Sequence, residues 1–346
     1  MNFANSLISW YLQNKRDLPW RKTNNPYHIW LSEIMLQQTR VAQGMPYYFA
    51  FREAFPTVHD LATADEEKVL KLWQGLGYYS RARNLHATAK YVAFENKGSF
   101  PDNFQDLKQL KGVGEYTAAA IASIAFGESV PVVDGNVFRV LSRYFGIETD
   151  VASSGAKKEF FELAASLLPK GKASEFNQAM MEFGALQCVP KNPNCTECIF
   201  NGSCSALKDG KVSQLPVKSK KTKVTNRYFN YLIVKDGEGK SIIQKRTAKG
   251  IWYNLYEFPL LETDNETDFE TTEALIQNYD FGFKVKHIKP LHHEVIVHKL
   301  SHQHLRIRFW EVETDAVLPS ALRLSAIQEF PFPIVIHNFM EQYWTN

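Results

Sequence analysis

Cys188 to Cys204 reads CVPKNPNCTECIFNGSC and holds all four cysteines of a 346-residue chain. The spacing is C-x6-C-x2-C-x5-C. Four thiolates in one short irregular loop can wrap a single centre. Thiolate is a soft ligand, so the candidates are an iron–sulfur cluster and zinc. Zinc usually takes two separated C-x2-C knuckles. Here only Cys195 and Cys198 form one, and no histidine lies in the loop. Disulfides are the third option, but they belong more to small secreted scaffolds than to a long chain rich in apolar residues. The spacing favours a [4Fe–4S] cubane over zinc, and either over disulfides.

Around this loop the composition sets limits. The length suggests two domains, and 45% hydrophobic with 13% aromatic residues is enough for full-sized cores. Forty basic against 37 acidic residues leave a net charge of +3, so a nucleic-acid surface must be a local patch rather than a global field. No apolar run reaches the length of a membrane span. The opening MNFANSLISWYLQNKRDLPW lacks a basic stretch followed by an apolar core, so no secretion signal is expected. Reduced cysteines then point to the cytoplasm.

Residues 1–187 read as helix after helix. Apolar residues recur at three- and four-residue spacing, as in Phe3, Leu7, Ile8 and Tyr11, with breaks at Pro19, Pro26, Pro56, Gly75, Gly77, Pro101 and Gly127. This is an all-α pattern. In the segment Trp30 to Thr39, Glu33 lies among large apolar neighbours, where a carboxylate is expensive unless paired or used. Such a group suits a general acid once it has a partner; alone, a surface glutamate is the commoner case. Further on, LKGVGEYT (Leu110–Thr117) joins two helices through Gly112-Val113-Gly114. Backbone N–H groups at such a turn can hold a phosphate, although an ordinary helix–helix turn uses glycine too. In VPVVDGNVFRVL, Asp134 is placed to cap the helix that follows. A fixed carboxylate can also face a developing cation, and Asn136 is polar where a core would not want it.

The hairpin LKGVGEYTAAAIAS, then VVDGNVFRVLSR, then the four-cysteine loop together resemble the helix–hairpin–helix DNA glycosylases of the endonuclease III superfamily. SEIMLQQTRV and GLGYYSRARNLH resemble the adenine DNA glycosylase (MutY) family within it. The resemblance covers residues 1–205 almost continuously. It implies a base-excision repair enzyme acting on double-stranded DNA, removing adenine mispaired with 8-oxoguanine or guanine. Glu33 is then the acid that protonates adenine, and Asp134 the carboxylate that stabilises the sugar oxocarbenium ion, with Asn136 and Tyr116 in support. Tyr116 stands where strand-cleaving members carry a nucleophilic lysine, which implies a monofunctional enzyme. Lys111 replaces the family's usual proline in the hairpin and is not expected to substitute for that nucleophile. A flipped base is implied, with Gln37 and Tyr78 entering the stack, Gln38 beside them, Arg21 lining the base pocket, and Gly112, Val113 and Gly114 on a phosphate. Arg81, Arg83 and Lys90 are either a solvated face or phosphate contacts. The resemblance also implies one [4Fe–4S] cluster per chain, held by Cys188, Cys195, Cys198 and Cys204, with Lys191 turned to the DNA backbone.

Residues 206–226, with six lysines and one aspartate, read as a flexible basic linker. From Arg227 the pattern changes to strands such as RYFNYLIVK, SIIQKR and HHEVIVHKLSHQHLRIRFW, with helices near 267–278 and 332–344. An α/β domain with a mixed sheet over 227–346 is expected, resembling the family's Nudix-like domain for 8-oxoguanine recognition. It lacks the clustered glutamates of a Nudix hydrolase, and Asn254 stands where glycine is usual. His298-Lys-Leu300-Ser301-His302 resembles the loop that reads the lesion, with Leu300 in place of an aromatic. The histidines between His287 and His304 lack a carboxylate arrangement and are not expected to bind metal. The whole chain is thus expected to be multidomain: an all-α glycosylase domain over 1–205 with the cluster loop at 188–204, a linker, and the Nudix-like domain. Monomer is the default, and a nucleoid-associated cytoplasmic location follows. Two other readings remain at this point: a pyrimidine-lesion glycosylase with lyase activity, and a catalytically silent iron–sulfur DNA-binding or redox-sensing protein.

Overall fold

The three- and four-residue apolar spacing becomes a succession of helices in the computed structural model, which describes residues 2–219 and 224–344. These are α1 (Phe3–Asn14), α2 (Pro26–Met35), α3 (Val41–Ala54), α4 (Val58–Thr63), α5 (Glu66–Leu72), α6 (Ser80–Lys90), α7 (Phe104–Leu107), α8 (Glu115–Ala125), α9 (Gly135–Phe145), α10 (Ala156–Leu167), α11 (Ala173–Leu186) and α12 (Ser205–Lys208). A single π-helical turn, Tyr91–Glu95, continues α6. Local chemistry sets the ends. Asn25 accepts from the N–H of Tyr27 at 2.9 Å and Pro26 opens α2. α9 closes on Gly146 in the left-handed region, φ +71°.

Backbone contacts group Met1–Thr63 with Asn84–Lys220, and Ala64–Arg83 with Lys221–Asn346. In the first unit α8 is the central post. Ala118, Ala119, Ala120 and Ala122 are buried, and their one-carbon side chains let α2, α7 and α11 lie directly against the helix. α11 also packs on α1 and α9, closing a core that holds Trp30, Leu141, Phe160, Phe176 and Phe183.

The second unit contains a mixed sheet, as its alternating pattern predicts. Its strands are β1 (Thr225–Lys235), β4 (Leu260–Thr263), β5 (His287–Pro290), β6 (Ile296–Lys299) and β7 (Gln303–Glu313), while β2 (Gln244–Lys245) and β3 (Tyr256–Glu257) pair separately. The order is β4-β1-β7-β5, with β1 and β7 parallel and β6 also paired antiparallel to β7. The expected helices are α13 (Phe269–Gln277) and α15 (Ile334–Trp344), with a short α14 (Leu324–Ile327) before the latter. Leu232, Val234, Ile276, Trp310 and Val312 form a core cluster. SIIQKR delivers less strand than its pattern suggests: only β2 and an isolated bridge at Ser241 form.

Two features depart from the sequence reading. Residues 64–83 gather with the second unit, because their polar side chains find partners there. Glu67 takes Lys245 Nζ at 2.9 Å and Tyr256 Oη at 2.8 Å, Arg83 donates to the Tyr253 carbonyl at 2.7 Å, and Lys71 donates to the carbonyls of Gln328 and Phe330. Asn254, the departure from glycine, lies at φ +65° and donates to Glu66 at 2.6 Å; asparagine tolerates the left-handed region better than most residues. The second departure is the linker, which is not free where it is described. α12 occupies its start, Leu215 is buried with its carbonyl on Arg143 Nε at 3.0 Å, and Val151 N–H bonds the Val217 carbonyl at 3.0 Å. Residues 220–223, with three of the linker's lysines, lie outside the described residues. Among the described residues no helix is long and apolar enough to cross a membrane.

The close approach to α8 makes a definite prediction. Ala120→Leu should destabilise the protein by about 1–3 kcal/mol, read as a lower denaturation midpoint in urea. A midpoint unchanged from wild type would show that the packing is looser than described.

Candidate active site

Three helices bring the carboxylates together. Glu33 sits on α2 with 1% of its surface exposed. Arg21 Nη2 donates to its Oε1 at 3.1 Å, and Tyr116 Oη, from the first turn of α8, donates to its Oε2 at 2.7 Å. So Glu33 does have a partner, which is the condition its sequence context set. Burial of the Tyr116 hydroxyl, followed by the charges of Glu33 and Asp134, pushes its titration well above the usual tyrosine range, and it remains a donor.

Asp134 is the cap of α9. Its Oδ1 accepts from the backbone N–H of Asn136 at 2.9 Å and of Val137 at 2.8 Å, and its Oδ2 accepts from Asn136 Nδ2 at 2.8 Å. Burial raises the carboxyl above the ordinary aspartate value, these three donors oppose the rise, and the charge of Glu33 adds to it. Asn136 is itself held, because Arg139 Nη2 donates to its Oδ1 at 2.8 Å. The same guanidinium reaches the Gly184 carbonyl at 2.7 Å and, through Nε, the Cys188 carbonyl at 2.7 Å. A continuous set of hydrogen bonds therefore runs from Asp134 to the first cysteine of the loop. A Cβ on Gly184 would lie 2.6 Å from Asn136 Cβ and 3.1 Å from its backbone, so only glycine fits there.

Asp134 and Tyr116 open onto a pocket of about 1090 Å³, which Gln37, Gln38, Gly114 and Thr117 also line. Gln37 Nε2 donates to Thr117 Oγ1 at 3.1 Å, and Gln38 adopts φ +56°. Glu33 stands behind Tyr116 rather than on the pocket wall. In the hairpin, Gly112 lies at φ +80° with Asn84 Cβ 2.7 Å from where a Cβ would be, and Val113 is buried. α7 ends at Leu107, and a turn carries the chain to Gly114. Tyr78 and the stretch Leu300 to His302 belong to the second unit. There Tyr78, at φ +48°, meets Ser301 Oγ with its hydroxyl at 2.6 Å. Leu300 N–H bonds the Gln303 carbonyl at 2.8 Å, which turns β6 into β7 and leaves Ser301 and His302 exposed.

Cys188, Cys195, Cys198 and Cys204 are free thiols, not disulfides, and they line one small pocket with Arg143, Tyr144, Phe183 and Phe200. Among the described residues, no three His, Cys, Asp or Glu side chains are grouped so that they could hold a metal ion as they stand. The thiols are arranged around a pocket rather than at a point. Arg143 Nη1 donates to Cys188 Sγ at 3.4 Å, and the Phe200 N–H to Cys198 Sγ at 3.4 Å. Burial, with a smaller push from the other three cysteines, moves the Cys198 thiol up to about 11. Burial raises the Cys204 thiol as well, so these two sulfurs need an electrophilic partner to give up their protons at neutral pH. A set of four soft donors in an aromatic pocket, already receiving N–H groups at sulfur, fits an iron–sulfur group.

Reading the sequence alone misses Arg139, Gly184 and the buried Glu182, whose carboxylate Arg16 grips through its backbone N–H at 2.9 Å, Nε at 2.7 Å and Nη2 at 2.7 Å. Arg139 carried a usable signal, since it lies three residues after Asn136 and shares its helix face.

A helical unit with a glycine hairpin, one buried and one half-buried carboxylate and a four-cysteine loop, followed by a mixed α/β unit, defines a class. A profile of the HhH-GPD superfamily of base excision DNA repair proteins matches residues 31–168, and a NUDIX domain profile matches residues 230–342. The helical fold is similar to that of a thermostable thymine-DNA glycosylase, with a TM-score of 0.56 at 32% identity over 60% of this chain and 95% of that one. Endonuclease III, trapped as a covalent intermediate with DNA, shares the fold at a TM-score of 0.53 and 23% identity, over 60% of this chain and 94% of that one. The adenine DNA glycosylase of Buchnera aphidicola subsp. Schizaphis graminum is 36% identical over 306 residues, 88% of this chain and 86% of its own. The chain belongs to the adenine DNA glycosylase family, and it is a hydrolase of the DNA N-glycosylase type.

The raised carboxyl of Asp134 predicts a pH-dependent stability. A carboxyl whose folded value exceeds its unfolded one costs nothing in acid, where both states are protonated, and its full cost is present at neutral pH. Asparagine caps a helix about as well as aspartate. Asp134→Asn should therefore raise the melting temperature at pH 7, and the gain should fade as pH drops through the carboxyl range. Calorimetry from pH 4 to 7 reads this; a variant less stable than wild type at pH 7 would contradict it.

Proposed function

We propose that this chain excises adenine opposite 8-oxoguanine, or opposite guanine, from double-stranded DNA by hydrolysing the N-glycosidic bond without cutting the strand. The observation that carries the reading is the pair of carboxylates, Glu33 and Asp134, both felt at Tyr116, with Asp134 on the pocket wall and Glu33 bonded behind Tyr116. Glycoside hydrolysis needs such a pair, one carboxyl to protonate the leaving group and one carboxylate to face the cationic sugar. The Glu33 carboxyl gives its proton to adenine N7. The C1′–N9 bond breaks with its electron pair going to the base, and Asp134, fixed by its three donors, faces the oxocarbenium ion. Water then adds at C1′ and returns a proton to Glu33. Arg21 Nη1 is buried with no hydrogen-bond partner, and a ring nitrogen of a bound base would supply one.

Monofunctionality rests on Tyr116, whose phenol forms no Schiff base with C1′. Recognition of 8-oxoguanine is assigned to the second unit, where Ser301 is exposed beside Tyr78. The iron–sulfur assignment rests on the four free thiols: in a cluster each sulfur binds its own iron, so donors spread around a pocket suit it better than donors gathered at one ion. Cys188, Cys195, Cys198 and Cys204 would hold the cluster, whose part is to brace the loop; the hydrolysis calls for no electron transfer. A monomer working on chromosomal DNA in the cytoplasm completes the proposal.

The test is single-turnover cleavage of a duplex with one A:8-oxoG pair, with and without hot alkali, beside a thymine-glycol duplex. Breaks only after alkali, abolished by Glu33→Gln while DNA binding persists, are expected. Breaks without alkali, or activity on thymine glycol alone, would move the protein to the lyases. Binding without base release would move it to the sensors. For the loop, iron and acid-labile sulfide should each be found at about four per chain, and stoichiometric zinc in their place would overturn the cluster.

A further inference from the structure

One side of the catalytic pocket has no part in the proposed chemistry. Ser154, Lys157, Lys158 and Phe161, at the start of α10, form it. Among the described residues that line the pocket, Lys157 and Lys158 are the cations, while Asp134 and Glu115 are the carboxylates. An extruded nucleotide does not arrive as a bare base. Its sugar carries a phosphodiester on each side, so anionic groups approach a mouth that already holds two carboxylates, with Glu33 behind it. Like charges in such a partly desolvated place repel unless cations stand between them.

Resting on the reading of this pocket as a base-excision site, we infer that Lys157 and Lys158 grip the phosphodiesters flanking the extruded nucleotide, with the Ser154 hydroxyl as a further donor. Both lysines are exposed and have flexible stems suited to a point contact with phosphate. The acid nearest Lys158, Glu162, is 3.8 Å away, and both side chains are mostly in solvent (81% and 66% exposed). Such surface pairs are weak, so a phosphate oxygen can replace the glutamate. The backbone of the rim is open as well. Beyond the adjoining residues and local helix backbone, no atom lies within 4 Å of where a Cβ would sit on Gly114, Gly135 or Gly155, so a strand can lie close along it. An unrelated solvated helix face is the competing explanation, and the two differ in what salt and neutral phosphates do.

The experiment measures Kd for a duplex with one A:8-oxoG pair across a salt series, in full-length Glu33→Gln protein with the lysines intact, with Lys157→Ala/Lys158→Ala, and with Lys157→Arg/Lys158→Arg. The alanine pair should weaken binding by about tenfold or more at low salt and reduce the slope of log K against log salt by about 2, and the arginine pair should restore both. In a second arm, neutral methylphosphonate linkages replace single phosphates from two nucleotides before to two after the target. At a flanking linkage the neutral substitution should weaken the lysine protein and cost the alanine pair nothing more. An unchanged slope, or losses that add at every linkage, would overturn the grip. The two readings fail separately. If the wild-type chain releases no adenine while affinity still tracks the lysines, the base assignment fails and the grip stands; if adenine is released and neither affinity nor slope moves, the grip alone fails.

Discussion

Asp134 holds the first turn of α9, and the proposed catalytic geometry depends on that cap. A side chain that satisfies two backbone N–H groups cannot rotate without exposing them, so the helix locks the carboxylate while the carboxylate starts the helix. The arrangement has a cost, because burial pushes the carboxyl toward its neutral form. The third donor, Asn136 Nδ2, offsets part of it. The fold thus holds this carboxylate against the direction in which burial pushes it, as expected of a group kept for its chemistry.

α9 also carries that geometry outward. Asn136 and Arg139 share one face of the helix, and Arg143 follows a turn later. Arg139 takes hold of Asn136 and the Cys188 carbonyl, while Arg143 binds the carbonyls of Val189, Pro190 and Leu215 and the sulfur of Cys188. The cysteine loop is therefore organised by the helix that presents the proposed catalytic carboxylate. Disturbance of the loop should reach Asp134 through these bonds, although the loop performs none of the hydrolysis.

The sequence was readable wherever the determinants lie close together along the chain. The cysteines span only a short loop, the Gly112–Gly114 turn sits between two helical patterns, and Asp134 precedes the helix it caps. The mixed sheet was readable from alternation in 227–235 and 303–313, which become the paired β1 and β7. What escaped depends on distant partners. Arg16 meets Glu182 across 166 residues, which no periodicity reports; the support of Glu33 by Tyr116, 83 residues away, came from the resemblance and not from the pattern. Residues 64–83 read as another stretch of the helical domain, yet they belong to the second unit, where their polar side chains find partners far along the chain. The lysines at 206–219 suggested a free tether, but the buried Ala206 and Leu215 were enough to pin it. The resemblance supplied roles for Gln37, Tyr78 and Ser301 that their residue types alone could not.

The central claim is that Glu33 and Asp134 act in one chemical event. Single-turnover release of adenine from an A:8-oxoG duplex, measured for Glu33→Gln, Asp134→Asn and the double variant, addresses it most directly. Groups that work as a unit are strongly non-additive. The double variant should therefore be little slower than the slower single one. Rate losses that multiply would mean that the two carboxylates contribute independently, and the account of the pocket would be wrong.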